Sequence, residues 1–283
     1  MNILITGALG FTGQYLVSYL RKLNKSDVIF LSDIRSDVKD ENIIYCDISN
    51  RKNARNLVSN VSPDVIFHLA GTFKNDFKID VKTNVVTSQN ILDAVKELGI
   101  NCRVLLIGSA AEYGFIKKHE NPIKETHPLR PASIYGLSKV YQTYLMKYYC
   151  TVHQSDIIMA RPFNIYGKEM SVRLFCGKLY HQIDKFKNNE IRTIKVGNLE
   201  NERDYIHIEQ VVQYYVNIMN NGLQGEIYNV GTGVPMKTKV LLKIVLREED
   251  LDMSIIEETE TERLKSYDVP QIYADITKLK QLI

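Results

Sequence analysis

The sequence predicts an α/β fold, a doubly wound parallel sheet with a smaller C-terminal lobe. Three observations carry that expectation: short apolar runs alternate with helical periodicity through the first half, the chain opens on a buried-strand pattern, and a glycine-rich turn follows that strand. Strands are expected at 2–6, 28–32, 43–46, 65–69, 103–108 and 156–161, nearly continuous in apolar residues as a sheet covered on both faces requires. Helices are expected near 12–23, 53–59, 83–98 and 133–153, where the apolar period becomes 3.6. Beyond Arg161-Pro162 the pattern loosens into a Lys-rich amphipathic stretch at 174–187, a strand at 191–196 and a charged, solvated segment at 247–265. The chain therefore divides into a first domain over 1–163, completed by parts of 204–230, and a lobe over 164–283.

The 283 residues carry 36 basic and 33 acidic side chains, a net charge of +3. That is too even a balance for a nucleic-acid surface or a polybasic membrane anchor. With 45% hydrophobic and 24% charged residues the chain has an ordinary globular composition. Cys46, Cys102, Cys150 and Cys176 show no metal-ligand or redox spacing, so no metal is expected and they read as small buried hydrophobes in a reducing compartment. Nothing at the N-terminus resembles a leader or a spanning segment, which places the protein in the cytoplasm.

The first strand runs into Thr6-Gly7-Ala8-Leu9-Gly10-Phe11-Thr12-Gly13. Gly7 permits a tight turn, Gly10 admits a pyrophosphate against the backbone, and Gly13 lets the helix pack closely. The helix start at Phe11 and Thr12 presents free N–H groups to an anion. Asp33, twenty residues past Gly13, ends the second strand where a carboxylate can accept from adenosine ribose hydroxyls. This Rossmann-type arrangement predicts NAD(H), and Arg35, able to meet a 2′-phosphate, leaves NADP(H) open.

Tyr135 and Lys139 lie four apart at the start of a long helical segment and so share one face. An ammonium beside a phenol favours the phenolate and draws its pKa toward the working range of a general acid. Tyr113 and Lys117 share the spacing but follow a strand in a glycine-containing stretch with no helix. Ser109 stands at the carboxyl end of the fifth strand, where ligands of open parallel sheets bind. His68, at the end of an apolar strand, reads as a packed structural residue.

Together the glycine turn, Asp47-Ile48, His68-Leu69-Ala70, Asn84, Ser109 and Tyr135/Lys139 resemble the extended short-chain dehydrogenase/reductases over nearly the whole chain. The resemblance implies that Asp47 and Ile48 contact adenine and that Leu69 and Ala70 lie beneath the cofactor. It implies Tyr135 as general acid/base, Lys139 holding the nicotinamide ribose, and Ser109 on the substrate oxygen. Arg161-Pro162-Phe163-Asn164-Ile165-Tyr166-Gly167 resembles a stretch of the nucleotide-sugar members, in which the Asn contacts the substrate. Arg203 and Arg263 are the candidates for binding a diphosphate, with Arg173 and Lys178 in reserve. The implied partners are a nucleotide-diphosphate sugar and a second copy of the chain in a homodimer.

Absences narrow the reaction. The resemblance implies that dehydratases of the family carry an Asp-Glu pair, or at least a Glu, just after the Ser/Thr, and 3,5-epimerising synthases a Cys; here Ala110 and Ala111 stand there, and Glu112, one residue on, is expected to point elsewhere. The chain is similar to the family's reductases of GDP-4-keto-6-deoxy-D-mannose, which implies reduction of the C4 ketone of a nucleotide-linked 4-keto-6-deoxyhexose. The rivals are a 4-epimerase with tightly bound NAD and a non-catalytic dinucleotide-binding protein. The chain has no Trp and lacks the Gly-Trp segment usual near the end of the family, implying a pared-down lobe.

Overall fold

The computed structural model describes residues 1–23, 26–35, 42–259, 269 and 271–283. Its centre is a seven-stranded sheet of β1 (Asn2–Thr6), β2 (Val28–Asp33), β3 (Ile43–Tyr45), β4 (Val65–His68), β5 (Arg103–Ile107), β6 (Ile157–Pro162) and β7 (Ile227–Val230). The order is β7-β6-β5-β4-β1-β2-β3 and every pairing is parallel. The order reverses between β1 and β4, which opens a crevice beyond the carboxyl ends of those strands.

Two-residue alternation assigns the faces. Ile3, Ile5, Phe67, Leu105 and Ile158 point to one core with α1 (Phe11–Leu23) and the helix Ile208–Asn221. Leu4, Ile66, Val104, Leu106 and Met159 point to the other, beneath α2 (Arg51–Val61), α3 (Thr87–Leu98) and α4 (Ile134–His153). The stretch expected as one helix from residue 83 is instead a π-helical segment, Val81–Val86, leading into α3. The interruption turns the buried Asn84 side chain to Thr72 and Ser138 rather than leaving it in an apolar face.

The C-terminal lobe has a third core built on α5 (Phe175–Lys187) and α7 (Thr238–Glu248), while α6 (Ile208–Asn221), which lies between them in sequence, packs in the first core. The strand expected at 191–196 is shorter, Ile194–Val196, and pairs with Ile256–Glu258. That second strand lies in the segment read as purely solvated; its first part ends α7, and its residues from 260 on lie outside the described ones. Phe11 and Ile165 pack against both the first and the third core. No helix among the described residues is long and apolar enough to cross a membrane.

Candidate active site

The carboxyl end of β1 makes the cradle expected of a dinucleotide turn. Gly7 has φ 70°, and a Cβ there would stand 2.8 Å from the Ala70 backbone nitrogen. A Cβ on Gly13 would lie 2.5 Å from the Gly7 carbonyl oxygen, so the turn folds onto α1 only without side chains. Helix α1 begins with the Gln14 N–H bonding Gly10 O, which leaves the N–H groups of Phe11 and Thr12 outside the helical ladder. Leu69 and Ala70 abut this turn. Asp33, buried, accepts from the Leu9 N–H at 2.9 Å and the Arg35 N–H at 3.1 Å, and its carboxylate pairs with the Arg35 guanidinium at 3.6 Å. Arg35 also donates to Leu9 O, so acid and cation share the lip of the cradle. Asp47 closes a turn on Ser49, and Ile48 is buried with its carbonyl held by Asn90. The arrangement fits a dinucleotide: glycine backbone and a helix start for the phosphates, a carboxylate and a guanidinium at the ribose end.

Ser109, Tyr135 and Lys139 come together at the ends of β5 and α4. The start of α4 is held twice: Ser133 Oγ accepts from Gly136 N–H at 3.0 Å, and Asn75 Oδ1 from Ile134 N–H at 2.9 Å. The Ser109 side chain lies near enough to the Tyr135 phenol to act on its pKa, and its Oγ accepts from the Ala111 N–H at 3.1 Å. Lys139 Nζ lies 5.9 Å from the Tyr135 ring centroid and donates to Ile107 O at 2.8 Å and Gln142 Oε1 at 3.1 Å. The electrostatics differ from the expectation that Lys139 lowers the phenol. Burial pushes Tyr135 up to about 12, opposed by the Ser109 side chain and aided by the Glu112 and Asp80 charges, while the Lys139 ammonium is turned to the Ile107 carbonyl and Gln142. Burial likewise pulls Lys139 down to about 8, against the charges of Glu112 and Asp80.

Glu112 does point elsewhere. It is fully buried, accepts from the Ser109 N–H at 2.8 Å and the Thr143 hydroxyl at 2.6 Å, and pairs with Arg161 Nη2 at 2.8 Å. Arg161 also donates to Tyr113, whose hydroxyl donates to Asn229 Oδ1 at 2.6 Å. Tyr113 is therefore a core residue, unlike Tyr135. Neither the clamp role of Glu112 nor the cap by Asn75 was signalled in the sequence, because both act through contacts distant along the chain.

His68 is buried as expected, its Nδ1 at 2.8 Å from Thr6 Oγ1, and burial together with the Lys139 charge lowers its pKa to about 3. The unfolded chain, titrating near 6.5, takes up a proton below that pH that the folded chain refuses until about 3. Stability should thus fall on acidification through this window by about 1.4 kcal/mol per pH unit. Urea unfolding between pH 7 and 4 should show this slope, reduced by that amount in His68→Asn; equal slopes would refute it.

In the second lobe Asn164 lies beside Asp204, its N–H donating to the Asp204 carbonyl at 2.9 Å. Arg203 is partly buried on the short strand Glu202–Arg203 and donates to Glu202 O. Between Arg203 and Tyr205, Asp204 is fully buried and accepts from the N–H groups of Thr232, Gly233 and Ala274. Arg173 and Lys178 are exposed, just before and within the first turn of α5. Arg263 lies outside the described residues. Among the described residues no cluster of three His, Cys, Asp or Glu is placed to hold a metal ion.

A family model described as the NAD dependent epimerase/dehydratase family matches residues 3–231. The chain belongs to this family. It is thus an NAD(P)-dependent nucleotide-sugar oxidoreductase. The chain is 24% identical to a GDP-6-deoxy-D-mannose reductase of Pseudomonas aeruginosa, covering 91% of this chain and 83% of that protein. It is 28% identical to a UDP-glucose 4-epimerase of Mycolicibacterium smegmatis, covering 85% of this chain and 80% of that one. A solved structure of RMD from Pseudomonas aeruginosa in complex with NADPH superposes with a TM-score of 0.85 at 21% identity, covering 100% of this chain and 92% of the other.

Proposed function

We propose that this member of the family is a nucleotide-sugar reductase, acting on the C4 ketone of a nucleotide-linked 4-keto-6-deoxyhexose with GDP-4-keto-6-deoxy-D-mannose as the first candidate. The observation that carries the reading is that Ser109, Tyr135 and Lys139 stand together while Ala110 and Ala111 follow Ser109 and the Glu112 carboxylate is sealed beneath them. A site so furnished moves one proton to one oxygen. It offers no second acid and base after Ser109 for loss of water and no thiol there for epimerising neighbouring carbons. The 24% identical reductase from Pseudomonas aeruginosa supports the substrate class.

The reduced nicotinamide supplies the hydride. Tyr135, protonated at neutral pH, gives its hydroxyl proton to the ketone oxygen as charge develops there, and Ser109 hydrogen-bonds the same oxygen. Lys139 holds the nicotinamide ribose and supplies positive charge near the phenolate that remains. Asn164 and Arg203, with Arg173, Lys178 and Arg263 further candidates, receive the diphosphate and sugar in the lobe over 164–283. The product is a GDP-6-deoxyhexose of the kind used in surface polysaccharides. Asp33 favours NADH, and Arg35 beside it leaves NADPH open. Tyr141, Tyr144, Tyr148 and Val152, exposed along α4, supply an apolar stripe for a homodimer.

Because Lys139 must carry its charge, kcat/KM should fall as pH rises through about 8, the value to which burial lowers this ammonium in the free enzyme. A profile flat from pH 7 to pH 10 would reject that role.

The experiment that tests the reading supplies GDP-4-keto-6-deoxymannose and its CDP, UDP and dTDP counterparts with NADH or NADPH. Consumption of the reduced nicotinamide in step with formation of a 6-deoxy alcohol is expected. The similarity to the mycobacterial epimerase favours a second reading, a 4-epimerase that keeps its NAD. Interconversion of UDP-glucose and UDP-galactose by protein purified with NAD bound, without net cofactor turnover, would replace the first reading by the second.

A further inference from the structure

Glu112 sits where two parts of the catalytic cluster meet, although it belongs to neither. One carboxylate oxygen accepts from the backbone N–H of Ser109, and the other from Thr143 Oγ1 and Arg161 Nη2. Thr143 stands on α4, one turn beyond Lys139 and two beyond Tyr135. A single buried carboxylate thus joins the loop that presents Ser109 to the helix that presents Tyr135, with β6 holding it from below through Arg161. The surroundings are shaped to it: a Cβ on Gly108 would lie 2.5 Å from Glu112 Oε1. The loop and the helix also touch directly, since a Cβ on Gly136 would lie 2.5 Å from the Ala111 carbonyl oxygen.

We propose that Glu112 is a positioning residue for catalysis, setting how Ser109 stands against Tyr135 by anchoring the Ser109 N–H on one oxygen and α4 on the other. The inference rests on the oxidoreductase reading for its kinetic arm. A residue that merely balanced the Arg161 charge would act differently, because it would need a negative charge and not an acceptor aimed at Ser109.

Two double variants of equal charge separate these roles. E112Q/R161M keeps an acceptor oxygen for the Ser109 N–H, whereas E112M/R161M removes it at similar volume. The expected result is a kcat for E112Q/R161M within about threefold of wild type and one for E112M/R161M lower by about 10–100-fold, the scale of an ångström-level misplacement. KM for the nicotinamide should be unchanged in both. Equal kcat values in the two would overturn the proposal. If neither accumulates folded, Thr143→Val cuts the link to α4 without touching a charge, and an unaltered kcat in it would overturn the proposal as well. If wild type reduces no 4-keto sugar, the proposed function fails on its own, and hydrogen exchange of the peptide spanning 107–115 decides. Loss of protection in E112M/R161M alone supports the anchoring role, and identical protection in both double variants refutes it.

Discussion

Tyr135→Phe should lower kcat for ketone reduction by about 10²–10⁴-fold, the usual contribution of a positioned general acid, while leaving dinucleotide affinity within about twofold. The hydroxyl is the only atom removed. The ring keeps its edge contact with Phe73, 6.4 Å between centroids, and α4 keeps its caps at Ser133 and Asn75. Burial holds the phenol up to about 12, so at neutral pH the proton is present for donation and the apo site spends nothing ionising it. Lys139 spends its hydrogen bonds on Ile107 O and Gln142, so the substitution leaves its contacts in place. Stopped-flow oxidation of NADH with the keto sugar, alongside fluorescence titration of the cofactor, measures both quantities. Undiminished turnover would mean that another group protonates the oxygen.

Arg161→Met should cost about 3–5 kcal/mol of stability, because it leaves the Glu112 carboxylate buried without its cation. Both side chains are essentially inaccessible to solvent, at 1% and 0%. Burial works against the Arg161 charge, but Glu112 and the hydrogen-bonded Tyr113 outweigh it and raise the guanidinium pKa above its ordinary value. The guanidinium also lies 4.8 Å from the Tyr113 ring centroid, so its loss removes packing and charge together. Replacing Glu112 by Gln in the same chain should restore most of the stability, since no unpaired ion then remains. Urea unfolding of wild type, single and double variants tests this, and a deficit under about 1 kcal/mol in the single variant would show that the carboxylate finds other compensation.

What was legible in the sequence is local. The glycines at 7, 10 and 13 follow a strand and precede a helix, and that context together with their spacing points to a phosphate-binding turn, while Tyr135 and Lys139 share a helix face by arithmetic. The strand positions were legible too, because a sheet buried on both faces demands unbroken apolar runs. Side-chain direction was not. The carboxylate of Asp204, next to the candidate substrate contact Arg203, closes the turn at Thr232–Gly233, a partnership across 28 residues. The π-helical segment around Asn84 was hidden for a related reason: a polar residue within a helical period reads as exposed until a partner such as Ser138 is known. The helix Ile208–Asn221 has a regular apolar face, yet it lies in the half where the pattern loosens. The influence of Lys139 on Tyr135 was judged from spacing, whereas the direction of an ammonium is decided by the carbonyls around it.

The last strand of the central sheet comes from residues 227–230 and pairs with β6, sixty-odd positions earlier in synthesis. A nascent chain emerging from the ribosome can therefore lay down six parallel strands and still present an open edge at β6, with the fully apolar Ile157–Met159 segment unshielded on that side. The sheet is closed on that side only when the later segment arrives, and until then the unpaired edge of β6 is a site where partly made chains can associate.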